Sequence, residues 1–463
     1  MTSKFDPRAP KRLLDAGDEL VSRSEAQRII ESAIKYSKAE AVQVNLGGGK
    51  QRNVRFAANQ MSTAGIVTDL SLVVTSSFGP KHAITTTNDL TPEGIERAVR
   101  QSEALAKLAP DDPEAMPYLP QQNIADSPSA WDEATVALTA DACAKAAQSA
   151  LGPARAKGNL QASGFLQVDA NVNSIGNSAG MFLYHRGTKS NYTLTVRTND
   201  GTGSGWAGAE EPRFASIDFD RISTRAIEKA ELSRNPVAIE PGRYTVILEP
   251  QAVGDLMTLV AFYADARSAD EGRSPFLKPG GGNKLGEKIA DERVSFYSDP
   301  YDSKILADPF DGEGFPTVRR NWIEKGVLKE LYYSRFWAKK QNKQPTGSPN
   351  NVVMTGGPTS REAMIAGTQR GILVSRLWYL REVDPRTLLY TGLTRDGTYL
   401  IENGKITKAI KNMRFNESPL FMLNNLEALG PQERVAGVEA LIPCVMPLLK
   451  VRDFNFTSLS DAV

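Results

Sequence analysis

Residues 241–255 read Pro-Gly-Arg-Tyr-Thr-Val-Ile-Leu-Glu-Pro-Gln-Ala-Val-Gly-Asp, a strand that runs directly into a helix. Along that helix Val253, Leu256, Met257, Val260 and Ala264 recur at helical spacing, which predicts a buried face with no ionisable group on it. Asp255 and Asp265 are expected on the opposite side, where a paired-carboxylate site has no further support. From Pro241 onward short strands alternate with tight turns, at Glu324-Lys325-Gly326, Asp396-Gly397 and Asn403-Gly404. The strongest hairpin is Tyr399-Leu-Ile-Glu-Asn-Gly-Lys-Ile-Thr-Lys408, because Asn-Gly tolerates the positive φ angles of a type I′ turn. Residues 237–463 are therefore expected to form a β-rich C-terminal domain with antiparallel hairpins.

Upstream the texture differs. Ser24-Glu25-Ala26-Gln27 is a capping-box pattern, followed by Ile29, Ile30, Ala33 and Ile34 on one helical face. Val42, Val44 and Leu46 alternate as a half-buried strand, which Gly47-Gly48-Gly49 is expected to break. Further strands are expected at 53–56, 70–74 and 82–86, and Thr91-Pro92-Glu93 opens a second helix. Residues 1–108 thus read as an α-β-β-β-α unit. Pro110, Pro113, Pro117 and Pro120 mark a linker over 109–130. Residues 131–236 form a middle α/β section, with helices at 139–156 and 218–233 and strands at 160–168, 181–184 and 192–197. The fold class is α+β, an N-terminal α/β domain followed by the β-rich domain.

Length and composition narrow the function by exclusion. The 463 residues suit two or three domains. Lys and Arg total 55 against 54 Asp and Glu, so the net charge is +1 and nothing favours nucleic acid or an anionic membrane as partner. Two cysteines, Cys143 and Cys444, exclude a disulfide framework and suit a reducing compartment. Two histidines, His82 and His185, lie too far apart to pair on one helix. The N-terminus lacks a signal peptide's apolar core, and the longest apolar run, Ala440 to Leu449, is far short of a bilayer span. The expected location is cytoplasmic, with no membrane association.

Few motifs offer chemistry. Gly176-Asn177-Ser178-Ala179-Gly180 fits a nucleophile elbow, but Met181–Tyr184 reads as a strand where the elbow requires a helix. Nothing in the sequence places His82 or His185 beside Ser178, so a β-turn is the expected role. The Gly-rich stretches at 200–206 and 279–284 lack the phosphate-loop pattern and read as loops. The basic residues from Arg319 to Lys343 are interleaved with Glu324 and Glu330, as on a solvated hairpin face.

The entry at 241–263 resembles the start of the C-terminal domain in the TldD/PmbA family, also called modulator of DNA gyrase. Asp311-Gly-Glu-Gly314, Ile323-Glu-Lys-Gly-Val-Leu328, Leu400-Ile-Glu-Asn-Gly-Lys405 and Arg414-Phe-Asn-Glu-Ser418 are similar to that family in the same order. The turn Asn177-Ser178-x-Gly180 resembles its N-terminal part. The resemblance implies a heterodimeric peptidase in which a TldD subunit carries zinc on HExxxH with a distant cysteine. Its sister, TldE or PmbA, carries no metal. Imidazole and thiolate suit a borderline-soft cation, with one position left for water.

At the matching positions this sequence has Thr258-Leu-Val-Ala-Phe-Tyr263, so both histidines and the glutamate are replaced, at Thr258, Leu259 and Tyr263. Cys444 lies too near the closing Pro447-Leu-Leu-Lys-Val451 to match the family's ligand cysteine. The resemblance therefore implies the TldE/PmbA-like subunit, non-catalytic alone, with no metal or other cofactor in this chain and zinc in a TldD-like partner. Substrates would be peptides or unfolded polypeptides, with Asn177, Ser178, Arg414, Phe415, Asn416, Glu417 and Ser418 as groove candidates. A homodimer is a further option. A stand-alone peptide-binding or scaffold protein and an independent metal-free hydrolase remain open alternatives.

Overall fold

The structure is a computed structural model that describes residues 20–437, 439–440 and 442–460. Residues 1–19, which carry the N-terminal segment read for a signal peptide, lie outside the described residues. The first half of the chain builds one antiparallel sheet. Helix α1 (Arg23–Tyr36) leads into β1 (Ala41–Ala57), β2 (Gln60–Phe78) and β3 (Lys81–Thr87), and helix α2 (Pro92–Leu108) follows. After the proline-rich stretch come α3 (Glu133–Val136), α4 (Ala140–Lys157), β4 (Leu160–Asn177), β5 (Phe182–Thr198), β6 (Ser204–Glu211) and α5 (Phe219–Leu232). The sheet order is β3-β2-β1-β4-β5-β6, so strands on both sides of the linker share hydrogen bonds in one sheet.

Three local expectations are corrected here. The N-cap of α1 is Ser22, whose Oγ accepts from Glu25 N at 3.3 Å, and Ser24 is already helical. Gly47–Gly49 do not break the strand; they pair on both sides within the 17-residue β1. The physical reason is close approach. A Cβ on Gly48 would lie 2.3 Å from the Asp69 carbonyl oxygen, and one on Gly49 2.0 Å from that of Ala170. The strands expected at 181–184 and 192–197 are likewise one, the continuous β5.

Period-two alternation gives this sheet two unlike faces. Val42, Val44, Leu46, Leu70 and Leu72 pack in one core with α1 and α2, and Val54, Phe56, Leu166 and Leu194 in another with α4 and α5. The opposite face is polar and meets the second half of the chain. Gln43 and Asn45 donate to Gly312 O at 3.3 and 3.1 Å, and Asn191 donates to Gly437 O at 3.2 Å.

The second sheet begins with β7 (Gly242–Leu248), followed by helix α6 (Pro250–Tyr263), as residues 241–255 predict. Its further strands are β8 (Phe296–Ser298), β9 (Arg320–Glu324), β10 (Val327–Leu328), β11 (Val352–Met354), β12 (Arg370–Asp384), β13 (Leu389–Glu402), β14 (Lys405–Ala409), β15 (Met413–Glu417), β16 (Leu426–Arg434) and β17 (Cys444–Leu459). Strand β7 pairs in parallel with β12 and antiparallel with β17, which closes β17-β15-β13-β12-β7 into a ring. Leu256, Met257 and Val260 of α6 join Phe415, Phe454 and Phe456 of the ring in one large core.

Two hairpin turns occur where expected. Asn403 and Gly404 take φ of 50° and 76°, and Lys325 and Gly326 take 48° and 76°. Asp396-Gly397 does not turn the chain. It lies inside β13, where the register against β12 slips between Val374 and Arg376, so the pair forms a bulge with φ of 54° and 128°.

Candidate functional site

Helix α6 holds the positions at which the resemblance places metal ligands. Thr258 is buried and its Oγ1 donates to the Gly254 carbonyl at 3.1 Å. Leu259 is buried in the core. Tyr263 is half-buried, its ring edge-on to Phe262 at 5.6 Å. A hydroxyl committed to its own helix, an alkyl group and a phenol do not form a zinc donor set. Among the described residues, no group of three or more His, Cys, Asp or Glu could hold a metal ion.

Asp255, expected on the outer side of α6, is instead buried. Its Oδ2 accepts from Leu377 N at 2.9 Å and its Oδ1 from Gln251 Nε2 at 3.1 Å, tying the helix to β12. Burial pushes its carboxyl up to about 7. Cys444 is also buried, close enough that a Cβ on Gly254 would lie 3.2 Å from its Sγ. Burial holds that thiol well above its ordinary range, so it is not poised as a thiolate. At the start of α6, Glu249 receives Lys229 Nζ of α5 at 2.6 Å, a buried ion pair that links the two halves of the chain. Burial opposes the Glu249 charge, but Lys229, Arg225 and Arg361 outweigh it and hold the carboxyl below its ordinary range.

A second polar assembly lies where the polar face of the first sheet meets the second half. A cavity of about 500 Å³ is lined there by Asn173 of β4, His185 and Lys189 of β5, Glu210 of β6, Asp308 and Arg434, among others. Asn173 and His185 are direct partners across the β4–β5 ladder, so both reach the same carboxylate. Asp308 Oδ2 accepts from Asn173 Nδ2 at 2.9 Å, and its Oδ1 lies 3.5 Å from His185 Nε2. Burial lowers the pKa of His185 and outweighs the pull of Asp308, which favours neutral imidazole. Burial raises that of Glu210.

The groove candidates fall in separate places. Asn177 and Ser178 form the β4–β5 turn, where Asn177 Nδ2 donates to Leu119 O at 2.9 Å and Ser178 Oγ accepts from Val42 N at 3.1 Å. This is strand–turn–strand, as the reading of Ser178 as a turn residue requires. Asn416, Glu417 and Ser418 line a different cavity of about 750 Å³, with Arg243, Phe421 and Asn424. Arg414 is exposed, and Phe415 is fully buried against Phe454, so its ring forms core and no groove wall. The structure does not bring the two sets together around one cavity. Sequence reasoning missed Asn173, Glu210, Asp308 and Arg434. The one usable trace was the alternation Asn171-Val172-Asn173, which gives β4 a polar face.

A two-sheet α+β architecture with a helix entering the core behind β7 defines the class of protein, and comparison identifies it. The PmbA/TldA metallopeptidase C-terminal domain matches residues 241–458, and the central domain of the same metallopeptidases matches 125–234. The chain belongs to the PmbA/TldD metallopeptidase family. A metalloprotease of Methanothermobacter thermautotrophicus is 24% identical over 56% of this chain and 60% of its own length. The chain thus matches about three-fifths of that relative. Metalloprotease PmbA of Escherichia coli O157:H7 is 22% identical over 89% of this chain and 94% of its own. The crystal structure of TldE from Thermococcus kodakarensis shares the fold, with a TM-score of 0.82 and 19% identity over 94% of this chain and 100% of that one.

Proposed function

We propose that this chain is the metal-free, TldE/PmbA-like subunit of a peptidase, and that it works with a TldD-like subunit carrying the zinc. What supports this reading is α6, where Thr258, Leu259 and Tyr263 stand at the positions at which the resemblance implies the catalytic motif, with side chains that do not form a zinc donor set. A subunit built this way contributes to hydrolysis by stabilising, shaping or closing its neighbour's site. Substrates are peptides or unfolded polypeptides in extended form, which backbone hydrogen bonds can hold with little regard to sequence. The 750 Å³ cavity at Asn416, Glu417 and Ser418 is the groove this reading favours within the chain. A cytoplasmic location suits both the substrate class and the two free, buried cysteines. No described helix is long and apolar enough to cross a membrane.

Mixing the purified chain with a TldD-like zinc peptidase tests the proposal. The two should co-elute on gel filtration through an interface burying roughly 2,000 Å² or more, and hydrolysis of an unstructured peptide should appear only in the mixture. A homodimer in the absence of the partner is compatible with this result. Neither co-elution nor a gain in hydrolysis would leave a stand-alone binding protein. Chelator-resistant hydrolysis by the lone chain would point to an independent hydrolase.

A further inference from the structure

The cavity at Asn416, Glu417 and Ser418 has a charge that the chain as a whole does not. The sequence carries a net charge of +1, yet Arg243 of β7, Lys284 and Lys288 of the segment before β8, and Arg386 of the β12–β13 turn all line this one space. The two carboxylates that line it, Glu287 and Glu417, are already engaged. Glu287 receives Lys278 Nζ at 2.8 Å. Glu417 is buried and accepts from Ser418 N at 2.9 Å and Asn455 N at 3.0 Å. Burial raises its carboxyl against the pull of Arg243.

The cations are held by neutral groups or left to solvent. Arg243 Nη1 donates to Asp453 O at 3.1 Å and Lys284 Nζ to Pro275 O at 2.9 Å, which orients both side chains without cancelling their charge. Lys288 forms no ion pair with a described residue, and its charge neighbour Asp291 is held by Arg293 at 2.7 Å. Of the four, Arg386 alone has a carboxylate of its own, Asp384 at 3.5 Å. Arg243, Lys288 and Arg386 are exposed, so a ligand in the cavity can reach them. Phe421 is exposed too, with the Arg243 guanidinium 5.9 Å from its ring centre. Walls of one sign focus the field and raise the local concentration of a ligand of the other sign.

We infer that this cavity takes an acidic segment of an extended peptide, with Asp or Glu side chains on Arg243, Lys284 and Lys288. The volume, about 750 Å³, exceeds what one carboxylate or phosphate fills and suits several residues of chain. A guanidinium meets a carboxylate with paired N–H donors, and an ammonium meets it as a point charge. The Phe421 ring offers apolar contact to the stems of the same side chains. This rests on the reading of the cavity as the peptide groove, and adds that the groove selects by charge. Backbone hydrogen bonds are indifferent to sequence, and these cations are not.

Fluorescence anisotropy of the wild-type chain tests it with three labelled Gly-Ser peptides of about ten residues, carrying Asp, Asn or Lys at the same positions. An exposed ion pair contributes at most about fivefold in affinity, so tenfold discrimination needs two or more cations on one ligand. The Asp peptide should bind about tenfold or more tighter than the Asn peptide at low salt, and the margin should shrink at about 0.5 M salt. Arg243→Gln and Lys288→Gln should each weaken its binding by about two- to fivefold, while Lys408→Gln, the same charge change on β14, should leave it unchanged. The three peptides on the wild-type chain decide the matter even if a substitution unfolds it. Equal binding of Asp and Asn peptides would overturn the inference and leave a groove indifferent to charge. Displacement of the Asp peptide by inorganic phosphate, beyond the effect of chloride at matched ionic strength, would assign the cavity to a small anion instead. A single-stranded oligonucleotide binding as tightly would make it a general polyanion surface, again against the inference. No binding of any peptide at about 1 mM would remove the groove reading as well. Hydrolysis by the mixed subunits tests the subunit assignment separately.

Discussion

Helix α6 crosses an apolar core and the inter-sheet cavity lies on a polar face, and they treat their polar atoms in opposite ways. Around α6 the groups are satisfied: Thr258 bonds to Gly254, Asp255 to Leu377 and Gln251, and Glu249 to Lys229. In and beside the cavity Glu210, Arg434 and Asn191 each keep a buried atom unused. A satisfied network needs nothing from outside and serves the fold. An unsatisfied one carries a free-energy cost that the fold absorbs elsewhere. The polar groups of α6 are thus tied into the fold, whereas Glu210, Asn191 and Arg434, near the junction of the sheets, each keep a buried atom without a partner.

The sharpest contrast sets two buried glutamates against each other. Glu249→Ala leaves Lys229 buried without its carboxylate and should cost about 3–5 kcal/mol of stability. Glu210 has no hydrogen bond on Oε1 and burial raises its carboxyl, so Glu210→Ala should cost clearly less than Glu249→Ala, about 1–2 kcal/mol. Denaturant melts of the two variants check this, and equal losses would erase the distinction between the regions.

Asp255 tests the helix from another direction. Its folded pKa of about 7 lies above the ordinary 3.8, so the folded state binds more protons than the unfolded state between those values. The stability it contributes is fully present below about pH 4 and is lost as pH rises through about 7, at up to ~1.4 kcal/mol per pH unit. Urea midpoints should fall across that window, and Asp255→Asn should flatten the slope. An unchanged slope in the variant would show that Asp255 is not the group responsible.

The smallest effect belongs to Ser178. Ser178→Ala removes the acceptor for Val42 N and should cost about 1 kcal/mol, leaving hydrolysis by the mixed subunits within a few-fold. A loss on the order of 10³ with the fold intact would revive a nucleophile at this turn.

Where the sequence misled, a local pattern had a long-range cause. Gly47–Gly49 look like a break because glycine weakens strands, yet only glycine lets β1 approach Asp69 and Ala170 so closely. Asp396-Gly397 has turn chemistry, but the long pairing of β12 with β13 absorbs it as a bulge. Asp255 was placed outside by polarity alone. Its burial depends on Leu377, 122 positions away, which no local window contains. The hairpins at Asn403-Gly404 and Lys325-Gly326, the entry at 241–255 and the second helix at Thr91 were legible because each is decided within a few residues. The cavity was not legible. Its residues come from β4, β5, β6, the loop at Asp308 and the end of β16, and only the meeting of two sheets unites them.

The central proposal is that α6 serves packing and holds no zinc, and zinc content tests it most directly. The chain is purified, loaded with excess zinc, dialysed and measured by elemental analysis, beside a TldD-like relative treated identically. The account predicts roughly one zinc in the relative and a level near background in this chain. About one tightly held zinc per chain would contradict it, and α6 would have to be read again as part of a working metal site.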